Sequence, residues 1–165
     1  MIRMTVITES DIRQMQSLFA ASMVGDLNGV ITILNHHKHD IDGNNVFGID
    51  IDPNSWGRRP IHAATIGGHY KIVKFYIDNG ANVNIQSIYG DTALHFAVFH
   101  NRSVILKMLL EANADPTITN NVNKTPIDIA KERNNIEFAQ EIEKHVRIKT
   151  STPKEKVLKK FLDMK

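Results

Sequence analysis

The sequence predicts an all-α solenoid of about four helix-turn-helix repeats, the first and last degenerate caps, with a short C-terminal amphipathic helix. Three observations predict it. A set of residues recurs at a fixed interval of 33, which is the signature of stacked units. Helix-starting and helix-ending residues recur in phase with that interval. A chain of 165 residues that is 42% hydrophobic and 23% charged can bury a core without cross-links, and it has no cysteine to make any.

The interval is read from Gly57, Pro60, Ile61, His62, Ala64, Val73, Ile77, Ala81 and Asn82, which reappear 33 residues later as Gly90, Ala93, Leu94, His95, Ala97, Leu106, Leu110, Ala114 and Asp115. A third pass gives Asn123, Thr125, Pro126, Ile127, Asp128 and Ala130. An earlier degenerate unit holds Ala20-Ala21, Gly25-Asp26, Val30 and Leu34 at an offset of 43, so ten extra residues fall between His36 and Trp56. Asp42-Gly43-Asn44-Asn45 and Asp52-Pro53-Asn54 supply turn chemistry there. The expected division is a degenerate repeat over 9–36, an inserted loop over 37–56, repeats over 57–84, 85–117 and 118–145, and a basic tail over 146–165.

Each unit reads as two short antiparallel helices and a turn. Pro60 and Pro126 suit the first helical position, where no amide partner is needed, and Thr92 is placed to cap its helix with its hydroxyl. Ala64, Ala97 and Ala130 are small enough for close helix stacking. Gly80 offers the left-handed backbone that ends a second helix, and Asn113 takes its place one unit on. Arg59 stands where the next unit has Thr92, which loosens that cap. One helix pair cannot hide its apolar face, so neighbouring units must share one continuous core.

These residues resemble the ankyrin repeat, whose pattern is a turn with Gly, then Thr-Pro-Leu-His, Ala, Gly-His, a Val/Leu-rich helix and Gly-Ala-Asp-Val-Asn. Arg59-Pro60-Ile61-His62, Gly68-His69 and Gly80-Ala81-Asn82-Val83-Asn84 match one unit; Thr92-Ala93-Leu94-His95 and Ala114-Asp115 match the next. The resemblance covers roughly residues 9–145 and implies a protein-binding module without a cofactor. It also implies that His62 and His95 hydrogen-bond the turns and hold adjacent repeats in register. In the last unit Asp128 replaces the His, and Glu141 and Glu143 make the second helix polar, as a terminal cap requires.

Beyond the array, Thr152-Pro153-Lys154-Glu155 reads as a capping box, with Val157, Leu158, Phe161 and Leu162 on one face of the helix that follows. Residues 146–165 hold seven Lys/Arg against two Asp/Glu, whereas the first 145 hold thirteen against sixteen. An alternative function follows: the basic tail touches anionic membrane or nucleic acid, although the array makes both secondary expectations.

Other chemistry is poorly supported. The cluster His36-His37-Lys38-His39-Asp40 with Asp42 has no second ligand pair at metal spacing, and its two leading histidines suit the end of a helix. An EF-hand register starting at Lys38 would end on Ile49, so calcium is excluded. Thiol catalysis is impossible, and no phosphate loop, nucleophile elbow or zinc-protease motif occurs. No catalytic site, metal or small-molecule substrate is expected, and no apolar run reaches the length of a membrane span. A monomer in the cytosol is the expectation.

By the resemblance, binding residues lie at the turn tips and on the groove side of each first helix. The candidates are Ser55, Trp56, Arg58 and Ile66; Ile88, Tyr89, Asp91, Phe99 and His100; and Asn121, Val122, Lys124 and Arg133. Trp56 and Tyr89 share one tip position 33 residues apart. The expected role is a non-catalytic adaptor for a protein partner. Ile, Asn and Lys supply 49 of the 165 residues, a bias typical of AT-rich genomes, which adds a host-directed effector of an intracellular microbe as the biological context.

Overall fold

The computed structural model describes residues 18–37 and 58–150, the side chains of residues 36–37 and 148–150 apart. All regular structure among them is helical: α1 over 18–24, α2 Leu27–His37, α3 Pro60–Gly67, α4 Tyr70–Asp78, α5 Ala93–Phe99, α6 Ser103–Glu111, α7 Pro126–Glu132 and α8 Ile136–Thr150. Within units α3 packs on α4, α5 on α6 and α7 on α8; between units α3, α5 and α7 form one layer and α2, α4, α6 and α8 the other. Ser55, Trp56, most of the 37–56 insertion and the amphipathic segment after Thr152 lie outside the described residues. The last helix continues past residue 145 to Thr150.

Helix starts follow the local chemistry. Pro60 and Pro126 occupy first helical positions. Thr125 caps α7: its hydroxyl accepts from the Asp128 amide at 3.3 Å and donates to Asp128 Oδ2 at 2.6 Å, while its own amide donates to the same oxygen at 2.9 Å. Thr92 stands at the cap of α5 as expected, in a capping box with His95: its side chain faces the His95 amide, its own amide donates to His95 Nδ1 at 3.1 Å, and its hydroxyl also lies 2.9 Å from that nitrogen.

Positive φ recurs with the period. The turns between paired helices use Gly25, Gly68, Asn101 and Asn134; the ends of second helices use Gly80 and Asn113; the tips use Gly90 and Asn123. Only Gly and Asn enter this region at low cost, so the expected substitution of Asn113 for Gly is realised at φ 65°. The core is continuous from unit to unit, joining Leu18, Val30, Ile61, Ile72, Tyr76, Leu94, Leu106, Leu110, Phe138 and Ile142. Ala64, Ala97 and Ala130 are all fully buried where first helices meet, so any larger side chain would force the layer apart.

Candidate functional site: the ring row and the turn tips

The buried histidines are positioned by hydrogen bonds that fix their tautomer. Arg59 N–H donates to His62 Nδ1 at 3.0 Å, so that nitrogen is unprotonated and Nε2–H donates to the Ile85 carbonyl at 3.1 Å. His95 repeats the pattern, accepting from Thr92 N–H at 3.1 Å and donating to the Lys124 carbonyl at 3.0 Å. Each neutral ring thus ties the start of its own first helix to the turn that follows. Burial is the main cause that pushes His62 down to about 3, with Arg59 and Arg58 adding to it. Burial lowers His95 as well. A ring that must stay neutral and has both nitrogens engaged is a tie between repeats, as the resemblance implied, and not a general base.

A second set of ties starts from the turns between paired helices and reaches the preceding unit. His69 Nε2–H donates to the Met23 carbonyl at 2.9 Å, Arg102 donates to the Ile66 carbonyl through two nitrogens at 3.2 and 2.7 Å, and Asn135 Nδ2 donates to Asn101 Oδ1 at 3.0 Å. His69, Arg102 and Asn135 stand 33 residues apart, so one register position straps each unit to the one before it with three different side chains. The His69 ring fills the space that a Cβ on Gly25 or Gly67 would enter, at 2.6 and 2.5 Å.

On the groove side the structure gathers several predicted residues into one feature. The His62 and Phe96 rings lie 5.2 Å apart, Phe96 and His100 stack at 6.5 Å, and Phe99 meets His100 edge-on at 5.3 Å. Arginines cover two rings of this row, Arg58 at 5.5 Å from the Phe96 centroid and Arg133 at 4.5 Å from that of Phe99. Burial, then Arg102, Arg58 and Arg133, hold His100 below the usual imidazole range. Phe99 is 52% exposed although its ring carries an arginine. An open cleft of about 620 Å³ adjoins it, walled by Arg133, Asn134 and Ile136.

The tips form a second, rigid surface. Ser87 N–H to the Asp91 carbonyl and Asn120 N–H to the Lys124 carbonyl close two turns at 2.9 Å each. Asn121 joins them, its amide donating to the Tyr89 carbonyl at 2.9 Å and its side chain to the Ile88 carbonyl at 2.8 Å. Asn120 adds a bond to Asp91 Oδ1 at 2.9 Å. Ile88, Tyr89 and Val122 nevertheless expose 54%, 44% and 69% of their surface, an apolar display that folding does not require.

The candidates therefore divide. Arg58, Phe99, His100 and Arg133 share the ring row; Ile88, Tyr89, Asp91, Asn121 and Val122 share the tips. Ile66 is half-buried and gives its carbonyl to Arg102, and Lys124 pairs with Glu132. Phe96 and Arg102 belong to the arrangement without having been singled out by register. Their sequence signal is faint: Phe96 stands three residues before Phe99, one helical turn away. Among the described residues no cluster of three metal-ligating side chains occurs, and no helix is long and apolar enough to cross a membrane.

Residues 18–120 match a family model for ankyrin repeats, in three copies. Similar proteins include an ankyrin repeat protein of fowlpox virus (strain NVSL), 41% identical over 83 residues that span 47% of this chain and 17% of that protein. Human SH3 and multiple ankyrin repeat domains protein 2 is 30% identical over 94 residues, spanning 57% of this chain and 5% of that one. A target of rapamycin complex 2 subunit of Saccharomyces cerevisiae is 33% identical over 78 residues, spanning 46% and 18%. The chain thus spans less than a fifth of each of these relatives.

Proposed function

The chain belongs to the ankyrin-repeat family, whose repeats are generally protein–protein interaction modules and typically non-catalytic, and on that premise we propose that it is an adaptor holding a protein partner across the ring row and the turn tips. The observation that carries this reading is the exposure of Phe99 on α5 and of Ile88, Tyr89 and Val122 on turns closed and joined by hydrogen bonds. A rigid surface loses little entropy on binding, and exposed rings are the residues that most often anchor interfaces. Catalysis has no foothold in the same residues: the buried imidazoles have both nitrogens occupied, and His100 is surrounded by cations.

Viral proteins are among the relatives, which supports the host-directed context; their names specify no partner. The excess of basic residues over 146–165 supports a second reading, in which that segment contacts an anionic surface. A photo-activatable side chain placed at Tyr89, Phe99 or, on the opposite layer, Lys107 tests the proposal in cytosolic extract. Covalent adducts should form from Tyr89 and Phe99 and not from Lys107. Adducts from Lys107 alone would place the partner on the other face.

A further inference from the structure

The groove carries charge as well as rings. Among the described residues Arg58, Arg102 and Arg133 have no carboxylate partner, whereas Lys74, Lys124 and Lys131 each have one. Two of the three arginines are stacked on rings. A guanidinium flat on an aromatic face keeps its N–H edge directed outward, and its planar fork fits a carboxylate with two parallel hydrogen bonds. Arg58 Nε is enclosed and makes no hydrogen bond among the described residues. The third arginine, Arg102, is occupied by the Ile66 carbonyl and adds positive field without a free fork.

We infer that the partner segment seated on this groove is an acidic peptide in extended conformation, whose carboxylates engage Arg58 and Arg133 above the Phe96, His100 and Phe99 rings; this deepens the recognition reading and rests on it. The spacing follows from the row. Arg58 lies 5.5 Å from the Phe96 centroid and Arg133 4.5 Å from that of Phe99, and the two rings are linked through His100 by centroid steps of 6.5 and 5.3 Å, so these four steps bound the separation of the guanidiniums. An extended chain advances about 3.3 Å per residue, so carboxylates up to about six residues apart cover it. Residues 1–145 carry thirteen basic against sixteen acidic side chains, so the cationic groove is a local feature of the array, which suits a short acidic segment. Exposed Ile88, Tyr89 and Val122 offer apolar contact to the peptide's remaining side chains.

The test is selection of a random dodecapeptide phage library on the full 165-residue chain, with a single-stranded oligonucleotide as a parallel probe. Selected peptides should carry Asp or Glu pairs at the stated spacing and lose affinity as salt rises. Arg133→Ala and Arg58→Ala should each weaken the selected peptide by about tenfold or more, since a hydrogen-bonded charge pair is worth roughly 1.5–3 kcal/mol and about 1.4 kcal/mol is tenfold. Arg133 is exposed, so its variant should keep the wild-type melting temperature and isolates binding from folding. Peptides without acidic pairs, or acidic peptides indifferent to both substitutions, would overturn this inference and leave the recognition reading standing. Preference for the oligonucleotide would overturn it in favour of the nucleic-acid alternative, and failure to enrich any peptide would count against both readings.

Discussion

Acidification should unfold this protein through its buried histidines, well before its carboxylates are protonated. His62 falls from an ordinary value of 6.5 to about 3 in the fold, first because burial penalises the charged ring. Protonation would also place a hydrogen on Nδ1 against the Arg59 amide donor. The folded value lies below the unfolded one, so the stabilisation is complete above about pH 6.5 and is lost as pH falls from there toward 3. Each pH unit in that window removes about 1.4 kcal/mol, so at pH 5 His62 alone removes roughly 2 kcal/mol. For a domain of this size that lowers Tm by roughly 4–8 °C. His95 and His100 shift the same way and steepen the slope. Asp128 is lowered too, by its hydrogen bonds from Thr125, but a lowered carboxylate loses its contribution only as pH falls below about 3.8, outside this window. Circular dichroism melts at pH 7.5, 6, 5.5 and 5 measure the slope, and His62→Gln should flatten it while lowering stability at pH 7.5. A wild-type Tm that stays constant from pH 7.5 to 5 would refute the assignment of neutral, hydrogen-bonded imidazoles.

Two further outcomes test the packing. Ser22 donates its hydroxyl proton to the Leu18 carbonyl at 2.7 Å, so the buried Tyr76 hydroxyl must donate to Ser22; Tyr76→Phe should cost about 1 kcal/mol in urea titration, with the slope of the transition unchanged. Gly25 and Gly80 share positive φ, at 87° and 81°, but a Cβ at Gly25 meets the His69 ring while one at Gly80 meets nothing within 4 Å. Gly80→Ala should therefore cost about 1–2 kcal/mol from backbone strain, and Gly25→Ala distinctly more by the same titration.

The period was legible because the backbone repeats its demands: a positive φ at the ends and turns, and an alanine where first helices touch, admit so few residue types that identity survives from unit to unit. Pro60, Pro126, Gly80 and Asn113 could be placed for that reason. The straps could not. Their acceptors at Met23 and Ile66 are backbone carbonyls, which any long donor can reach, so His69 and Arg102 fill one role without resembling each other. The ring row was half legible. Register identified Arg58, Phe99, His100 and Arg133, but that Arg58 crosses from its own unit to Phe96 on α5, and Arg133 back from α7 to Phe99, depends on side-chain reach between helices. Thr92 was legible as the cap of α5; that the imidazole three residues on closes the box was not.

The claim that recognition resides in exposed rings while the histidines only support the fold is tested most directly by measuring Kd and Tm together, for the cross-linked partner, in Tyr89→Ala and His95→Ala. Tyr89 is 44% exposed and His95 is buried, bonded at both nitrogens. Loss of an interface ring commonly costs about 2 kcal/mol, so Tyr89→Ala should weaken binding by roughly 30-fold at nearly constant Tm. His95→Ala should lower Tm first and affect Kd only at temperatures where the fold begins to fail. A Tyr89→Ala variant that binds with unchanged Kd, or a His95→Ala variant that loses binding while still fully folded, would contradict this division of labour.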